Sequence, residues 1–402
     1  MAVPPSHPSS SGPSTPSQPS AEADPTPASH RAKSRLTRRG LIGAASAVAA
    51  GAVVTPAVMA ATTDSTDSTD SSGASGAPQD GTTVETFPRT RSKAATGEAP
   101  VEAAFPIAYV GIRWEGTNSV DGGGIRLHDA DGAGGDWKSL SGSGCSDANG
   151  GALLVPAGSA SGYEVKAPQG ATGLRSVALD TSNGPERKVD VPSDTTRVRG
   201  VAYLSRPAWG ADESKRFKPD GTENTPTAYY PFQTITVHHT ATVNNDPDPA
   251  ATVRAIYELH AITNDWGDIG YHFLIDEEGR VYEGRYSGDD GIPAHDGEGK
   301  LVTAFHAAGY NSGNLGIALL GNLMEQGPTD AARASLTRLV RVLCRFHGLD
   351  PAARLTYTNP INGTQKDVPS ISGHRDWMAT ECPGEVMYGE LALLREAAAG
   401  RS

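Results

Sequence analysis

From about residue 202 onward, the hydrophobic positions follow two alternating periods. "QTITVHH" is a β-branched run of the kind that forms a buried strand. "DPDPAATVRAIYELHAIT" places Val253, Ile256, Tyr257 and His260 on one helical face, with Asp248 as N-cap and Pro249 in the first turn. "YHFLIDEEGRVYEGR" predicts two strands around a Glu-Glu-Gly turn, and "LGIALLGN" predicts another strand. "TDAARASLTRLVRVLCRFHG" predicts a helix with Leu336, Leu339, Val340 and Leu343 on one face, stopped by Gly348. Strands and helices mixed in this way predict an α/β domain over residues 201–402, a central sheet flanked by helices.

Upstream the period changes. Over residues 101–200, short apolar runs such as "IAYVGIRW", "GALLVP" and "LRSVALD" alternate with turn clusters such as "DGGG" and "TSNGPE". This spacing predicts a small all-β sandwich, with Trp114, Trp137 and Tyr163 in its core rather than stacking on sugars. "HDADGAGGDW" has acidic spacing but too few ligands for a calcium loop, so it reads as a turn. Residues 62–100 are Ser/Thr/Asp/Gly-rich and read as a disordered linker. Residues 1–61 begin with a Pro/Ser/Ala-rich disordered leader. Arg38 and Arg39 then precede an Ala/Gly/Val run, with Val58 and Ala60 spaced for cleavage. That is the pattern of a twin-arginine export signal, and it predicts a secreted or cell-wall protein with no stable membrane association after cleavage.

Charge narrows the partners. With 34 Lys+Arg against 46 Asp+Glu, the 402-residue chain carries a formal charge of -12. That argues against nucleic acid as a partner, because neutralising phosphates needs a basic footprint. The three cysteines are an odd number, which leaves at least one outside any disulfide. Cys145 and Cys344 read as buried and unbridged.

The candidate chemistry lies at two places. In "TVHHT", neighbouring strand residues point to opposite faces, so only one of His238 and His239 can face a cleft. In "ISGHRDWMATECPG", His374 and Cys382 lie on a loop bounded by glycines and a proline. Two histidines and one cysteine make a three-ligand zinc set with an open fourth position, the pattern of a catalytic rather than a structural site. A thiol nucleophile at Cys382 with His374 as base is the competing chemistry.

Five ordered blocks carry a resemblance: "SRPAWGADES", "ITVHHTAT", "WGDIGYHFLIDEEGRVYEGR", "HAAGYNSGNLGIALLGN" and "GHRDWMATECPG". Over nearly half its length the chain resembles the family of peptidoglycan recognition proteins and type-2 N-acetylmuramoyl-L-alanine amidases, in a bacterial, exported form. The resemblance implies a mixed sheet with a zinc cleft, in which His238, His374 and Cys382 hold Zn2+ and Tyr271 is catalytic. It also implies hydrolysis of the amide between N-acetylmuramic acid and L-alanine, with peptidoglycan or muropeptides as substrate. The alternative within the family is a non-catalytic peptidoglycan-binding protein. Thr380 stands where the family's phage enzyme has lysine and its recognition proteins have threonine, which makes it a candidate second donor. His306 matches a position near the cleft, while His272 and His260 read as structural. The stretch "YSGDDGIPAHDGEGKLVTAF" reads as a solvated loop inserted after "EGR". A monomer is expected.

Overall fold

A computed structural model of the protein describes residues 81–141, 150–192, 196–289 and 291–400. The leader, the twin-arginine segment, most of the linker and Cys145 lie outside the described residues.

Polar sequence does not prevent strand formation at the start of this region. Residues 82–96, assigned above to the linker, form β1 (Thr82–Pro88) and β2 (Arg91–Thr96). Six strands follow: β3 (Val101–Glu115), β4 (Gly124–His128), β5 (Lys138–Ser139), β6 (Gly150–Lys166), β7 (Thr172–Asp180) and β8 (Glu186–Pro192). β1 and β8 make an antiparallel ribbon. The rest form one antiparallel sheet in the order β2-β7-β3-β6-β4-β5.

The expected β structure is present, as a six-stranded sheet and the β1–β8 ribbon. β3 and β6 run for 15 and 17 residues, and their pairing shifts register between Glu102 and Tyr109. Such irregularities bend a sheet. One face builds its own core from Val110, Ile112, Trp114, Leu153, Tyr163 and Ala178. Trp114 and Tyr163 are core residues as expected. Trp137 is not, being 47% exposed with Arg126 over its ring. Asp129 accepts backbone N–H bonds from Asp131 and Ala133, so "HDADG" is a plain turn.

The opposite face carries Tyr109, Leu154, Val177 and Leu179, which pack into the second half of the chain. There the central sheet contains β9 (Thr234–His239), β10 (Phe273–Ile275), β11 (Val281–Glu283), β12 (Asn314–Leu319) and β13 (Ile371–Gly373). Its order is β11-β10-β12-β9-β13, parallel except for the β10–β11 hairpin. A mixed sheet was expected. Alternation divides its faces. Ile235, Val237, Ile317, Leu319 and Ile371 face α2 (Asp330–His347) and α3 (Glu385–Ala399) in one apolar core. Burying each such aliphatic side chain contributes about 1.5–3 kcal/mol. Thr236, His238 and Ser372 alternate with these residues and occupy the other face.

Helix α1 (Pro249–Glu258) covers that other face. Its N-cap is Asp248, whose side chain accepts the Ala251 N–H, and Pro249 follows directly. Every residue from Ala251 to Glu258 is buried, because α1 lies between the central sheet and the N-terminal sheet. Its polar members are paired there. Arg254 donates to the Trp209 and Thr181 carbonyls, and Glu258 meets Lys215. The helix widens into a π-turn over Leu259–Thr263 that holds His260. Helix α2 behaves as its pattern predicts: Leu336, Leu339, Val340 and Leu343 are buried, Thr329 caps the N-terminus, and Gly348 closes the helix at φ 66°. The stretch after "EGR" is more ordered than a solvated loop. His295 is buried and its Nε2 accepts from His347 Nε2–H at 2.9 Å, and Leu301–Val302 pairs with Tyr229–Tyr230.

Candidate metal centre

Strand register brings the first two histidines together. β9 and β13 are parallel neighbours with Val237 opposite Gly373, so His238 and the residue after β13, His374, lie side by side. Their ring centroids are 4.5 Å apart. The loop after His374 is pinned. Asp376 accepts the Gly373 N–H at 2.8 Å and the Tyr388 hydroxyl at 2.7 Å, and Trp377 Nε1 donates to Ser372. The loop then returns Cys382 to the sheet, where Arg375 N–H donates to its carbonyl. Gly373 is required at this crossing, since a Cβ there would sit 2.9 Å from both Pro383 and Tyr388.

Ligand atoms of His238, His374 and Cys382 all lie within 4.8 Å of one another, and all three side chains are buried. Cys382 Sγ is 3.6 Å from His238 Nδ1 and accepts the His239 N–H at 3.4 Å. His239 itself points to the opposite face, where its Nδ1 accepts the Leu323 N–H. The expected division of labour between the two adjacent histidines therefore holds.

A relay fixes which nitrogen of His238 is bare. His306 Nε2–H donates to the Asn314 carbonyl at 3.0 Å, so His306 Nδ1 must accept. It accepts from His238 Nε2–H, also at 3.0 Å, leaving His238 Nδ1 open toward Cys382. Gly316 makes this possible, because a Cβ there would come within 2.6 Å of the His306 ring. The match of His306 to a position near the cleft pointed to a residue that holds a ligand; which ligand it holds depends on the β9–β12 pairing.

Burial keeps these rings neutral. It lowers His238 well below the usual imidazole range, with His374 and His306 adding to the effect. It lowers His374 to about 3 and His306 to about 4. Neutral imidazole is the form that binds metal. His374 supplies the test of fit. It is fully buried, and neither of its ring nitrogens has a hydrogen-bond partner. Leaving such groups unsatisfied costs on the order of 1–3 kcal/mol each. Two neutral imidazoles and a thiol form a donor set suited to zinc, and a metal would satisfy the orphaned nitrogen.

The remaining candidates surround this group. The Tyr271 ring lies 5.4 Å from that of His238 and 5.5 Å from that of His260. His260 Nδ1 accepts the Gly270 N–H, which holds the segment leading to Tyr271. His272 faces away, accepting from Gly316 N–H and donating to the Val302 carbonyl, a structural role as expected. Thr380 is half-buried, and its Oγ1 accepts the Cys382 N–H at 3.2 Å, so it shapes the turn that presents the thiol. Arg206 braces the approach to Tyr271 with bonds to Asp268 at 3.0 Å and Glu213 at 2.7 Å. Asp268 in turn receives the Tyr286 N–H.

Residues 228–385 match the profile of the N-acetylmuramoyl-L-alanine amidase family. The chain is 28% identical over 217 residues to a human N-acetylmuramoyl-L-alanine amidase, covering 50% of this chain but only 31% of the human protein. It is 30% identical over 197 residues to peptidoglycan-recognition protein SC2 of Drosophila melanogaster, covering 48% of this chain and 86% of that protein. A peptidoglycan recognition protein of Trichoplusia ni is 30% identical over 163 residues, with 40% and 74% covered. The chain belongs to the family of N-acetylmuramoyl-L-alanine amidases and peptidoglycan recognition proteins.

Proposed function

We propose that this protein is a zinc-dependent N-acetylmuramoyl-L-alanine amidase, cleaving the amide between N-acetylmuramic acid and the first L-alanine of the stem peptide. The observation that carries the proposal is the buried His238–His374–Cys382 group, in which His374 has no other partner. Zinc supplies Lewis-acid polarisation of a carbonyl and acidifies water when held by such a set.

The protein's own groups do the rest. The His306 and Asn314 relay keeps His238 in the tautomer that presents Nδ1. The Thr380 hydroxyl and the His239 N–H hold Cys382 in place. Tyr271 donates its phenolic proton toward the amide oxygen as negative charge builds there, a contribution worth about 10²–10³ in rate for one such donor. Thr380 is too weak an acid to protonate the leaving amine.

A binding protein without activity would use the same cleft. The His374 ring nitrogens, buried without a hydrogen-bond partner beside His238 and Cys382, are what a metal-holding enzyme needs, so we favour catalysis. Export by the twin-arginine route and action on the cell wall as a monomer complete the proposal. Among the described residues, no helix is long and apolar enough to cross a membrane.

Digestion of muropeptides followed by mass spectrometry tests it. The expected products are free stem peptides beginning with alanine, lost on chelation and restored by Zn2+. Intact muropeptide bound to zinc-free protein would favour the sensor. Activity that survives chelation but not thiol alkylation would favour a Cys382 nucleophile.

A further inference from the structure

The candidate site is shut. His238, His374 and Cys382 are each 0% exposed, and Tyr271 is 2% exposed. The space beside Tyr271 is a cavity of about 20 Å³, lined by Thr240, Ile256, Leu259, His260 and Tyr271 on one side and by Ala152 and Leu154 of β6 on the other. That volume holds about one water molecule. A sugar-peptide cannot enter it.

The closing surface belongs to the N-terminal sheet. Tyr109, Leu154, Val177 and Leu179 extend the apolar cluster that contains Tyr271 and Leu259. The backbones approach closely, since a Cβ on Gly111 would lie 2.8 Å from Leu259 Cδ1. Polar bonds rim the seam: Tyr109 hydroxyl with Thr252 at 2.7 Å, Arg113 to the Asn264 carbonyl at 3.1 Å, and Arg89 with Asp212 at 3.2 Å. An apolar centre with a hydrogen-bonded rim is the anatomy of a docking interface.

We propose that the face of the amidase half around Tyr271 is an interaction surface occupied by this chain's own sheet of residues 82–192, which acts as an intramolecular cover. Peptidoglycan reaches Tyr271 and the three ligands only when that sheet is displaced. The proposal rests on the amidase reading for its substrate, but the closure itself does not.

Alkylation of the metal-free full chain, read at Cys382 and Cys344 by peptide mass, tests the cover. Cys344 lies on α2 in the other core and reports unfolding of the amidase half. Leu154→Glu places a charge in the seam and should raise labelling of Cys382 about tenfold or more. Tyr109→Phe removes one hydroxyl and should raise it about fivefold, the ratio set by a single hydrogen bond. Labelling of Cys344 should not change, and the zinc-loaded variants should release stem peptides faster in the same order. If Leu154→Glu does not fold, Tyr109→Phe decides the matter alone. Unchanged labelling of Cys382, or Cys344 rising in step with it, overturns the cover. So does a parent chain that hydrolyses muropeptides as fast as the variants, which leaves the amidase reading intact. Labelling of Cys382 that rises only in the variants, with no hydrolysis by any zinc-loaded chain, retires the amidase reading and leaves the cover.

Discussion

The His306 ring spans the gap between a main-chain carbonyl and a candidate metal ligand, and its whole effect passes through His238. Replacing it with alanine should cut zinc affinity about 10–100-fold, as measured by competition with a chromophoric chelator. His306→Asn, which keeps a donor and an acceptor, should recover part of that loss. Tyr271 separates in the opposite way. Tyr271→Phe should bind zinc normally yet lose about 10²-fold or more in turnover, whereas Cys382→Ser should lose both zinc and turnover. Normal hydrolysis by Tyr271→Phe would remove the role given to its hydroxyl. At this scale the candidate ligands were legible, because a histidine pair on a strand and a His/Cys loop have few competing explanations together. Of the relay only its place near the cleft was legible: His306 reaches His238 because β9 and β12 are paired and position 316 is glycine.

Elements hold these groups at fixed distances, and two places carry more of that burden than their sequence suggests. Arg206 and Asp268 are both nearly fully buried, so Arg206→Leu leaves a buried carboxylate unpaired. It should destabilise the fold by about 3–5 kcal/mol in denaturant unfolding. Gly316→Ala forces a methyl group into the His306 ring and should cost about 1–3 kcal/mol while also weakening zinc binding. Amphipathic α2 and capped α1 were readable because periodicity and end signals agreed. Strands β1 and β2 were not. They are edge strands whose side chains are largely exposed, so backbone pairing with β8 and β7 sets them and the apolar pattern is absent. Alternation reveals two faces, but it does not say whether the partner of the second face is another sheet or, as here, a helix of the next domain.

Across the whole molecule, the buried histidines tie stability to pH. His260 and His374 are lowered to about 3, and His239 and His306 to about 4, all chiefly by burial. Their unfolded value is about 6.5, so below that pH the unfolded chain binds more protons. The stabilisation is complete above pH 6.5 and is lost as pH falls toward 4 and then 3. Each ring can contribute up to about 1.4 kcal/mol per pH unit across that window. Thermal unfolding of the metal-free chain should therefore move steadily to lower temperature below pH 6.5, and a flat profile there would contradict neutral burial of these rings. The two halves of the molecule meet at the same place, since α1 and Tyr271 belong at once to the amidase half and to the surface that the N-terminal sheet covers.

Zinc titration of the metal-free Tyr109→Phe chain, whose seam is loosened, with stem-peptide release followed at each addition, tests the central claim most directly. Release should be absent without metal, rise in proportion to zinc, and saturate at one equivalent per chain, with the Cys382→Ser chain silent throughout. Release that is independent of zinc, or a filled site with no release from a chain whose Cys382 is accessible, would contradict it.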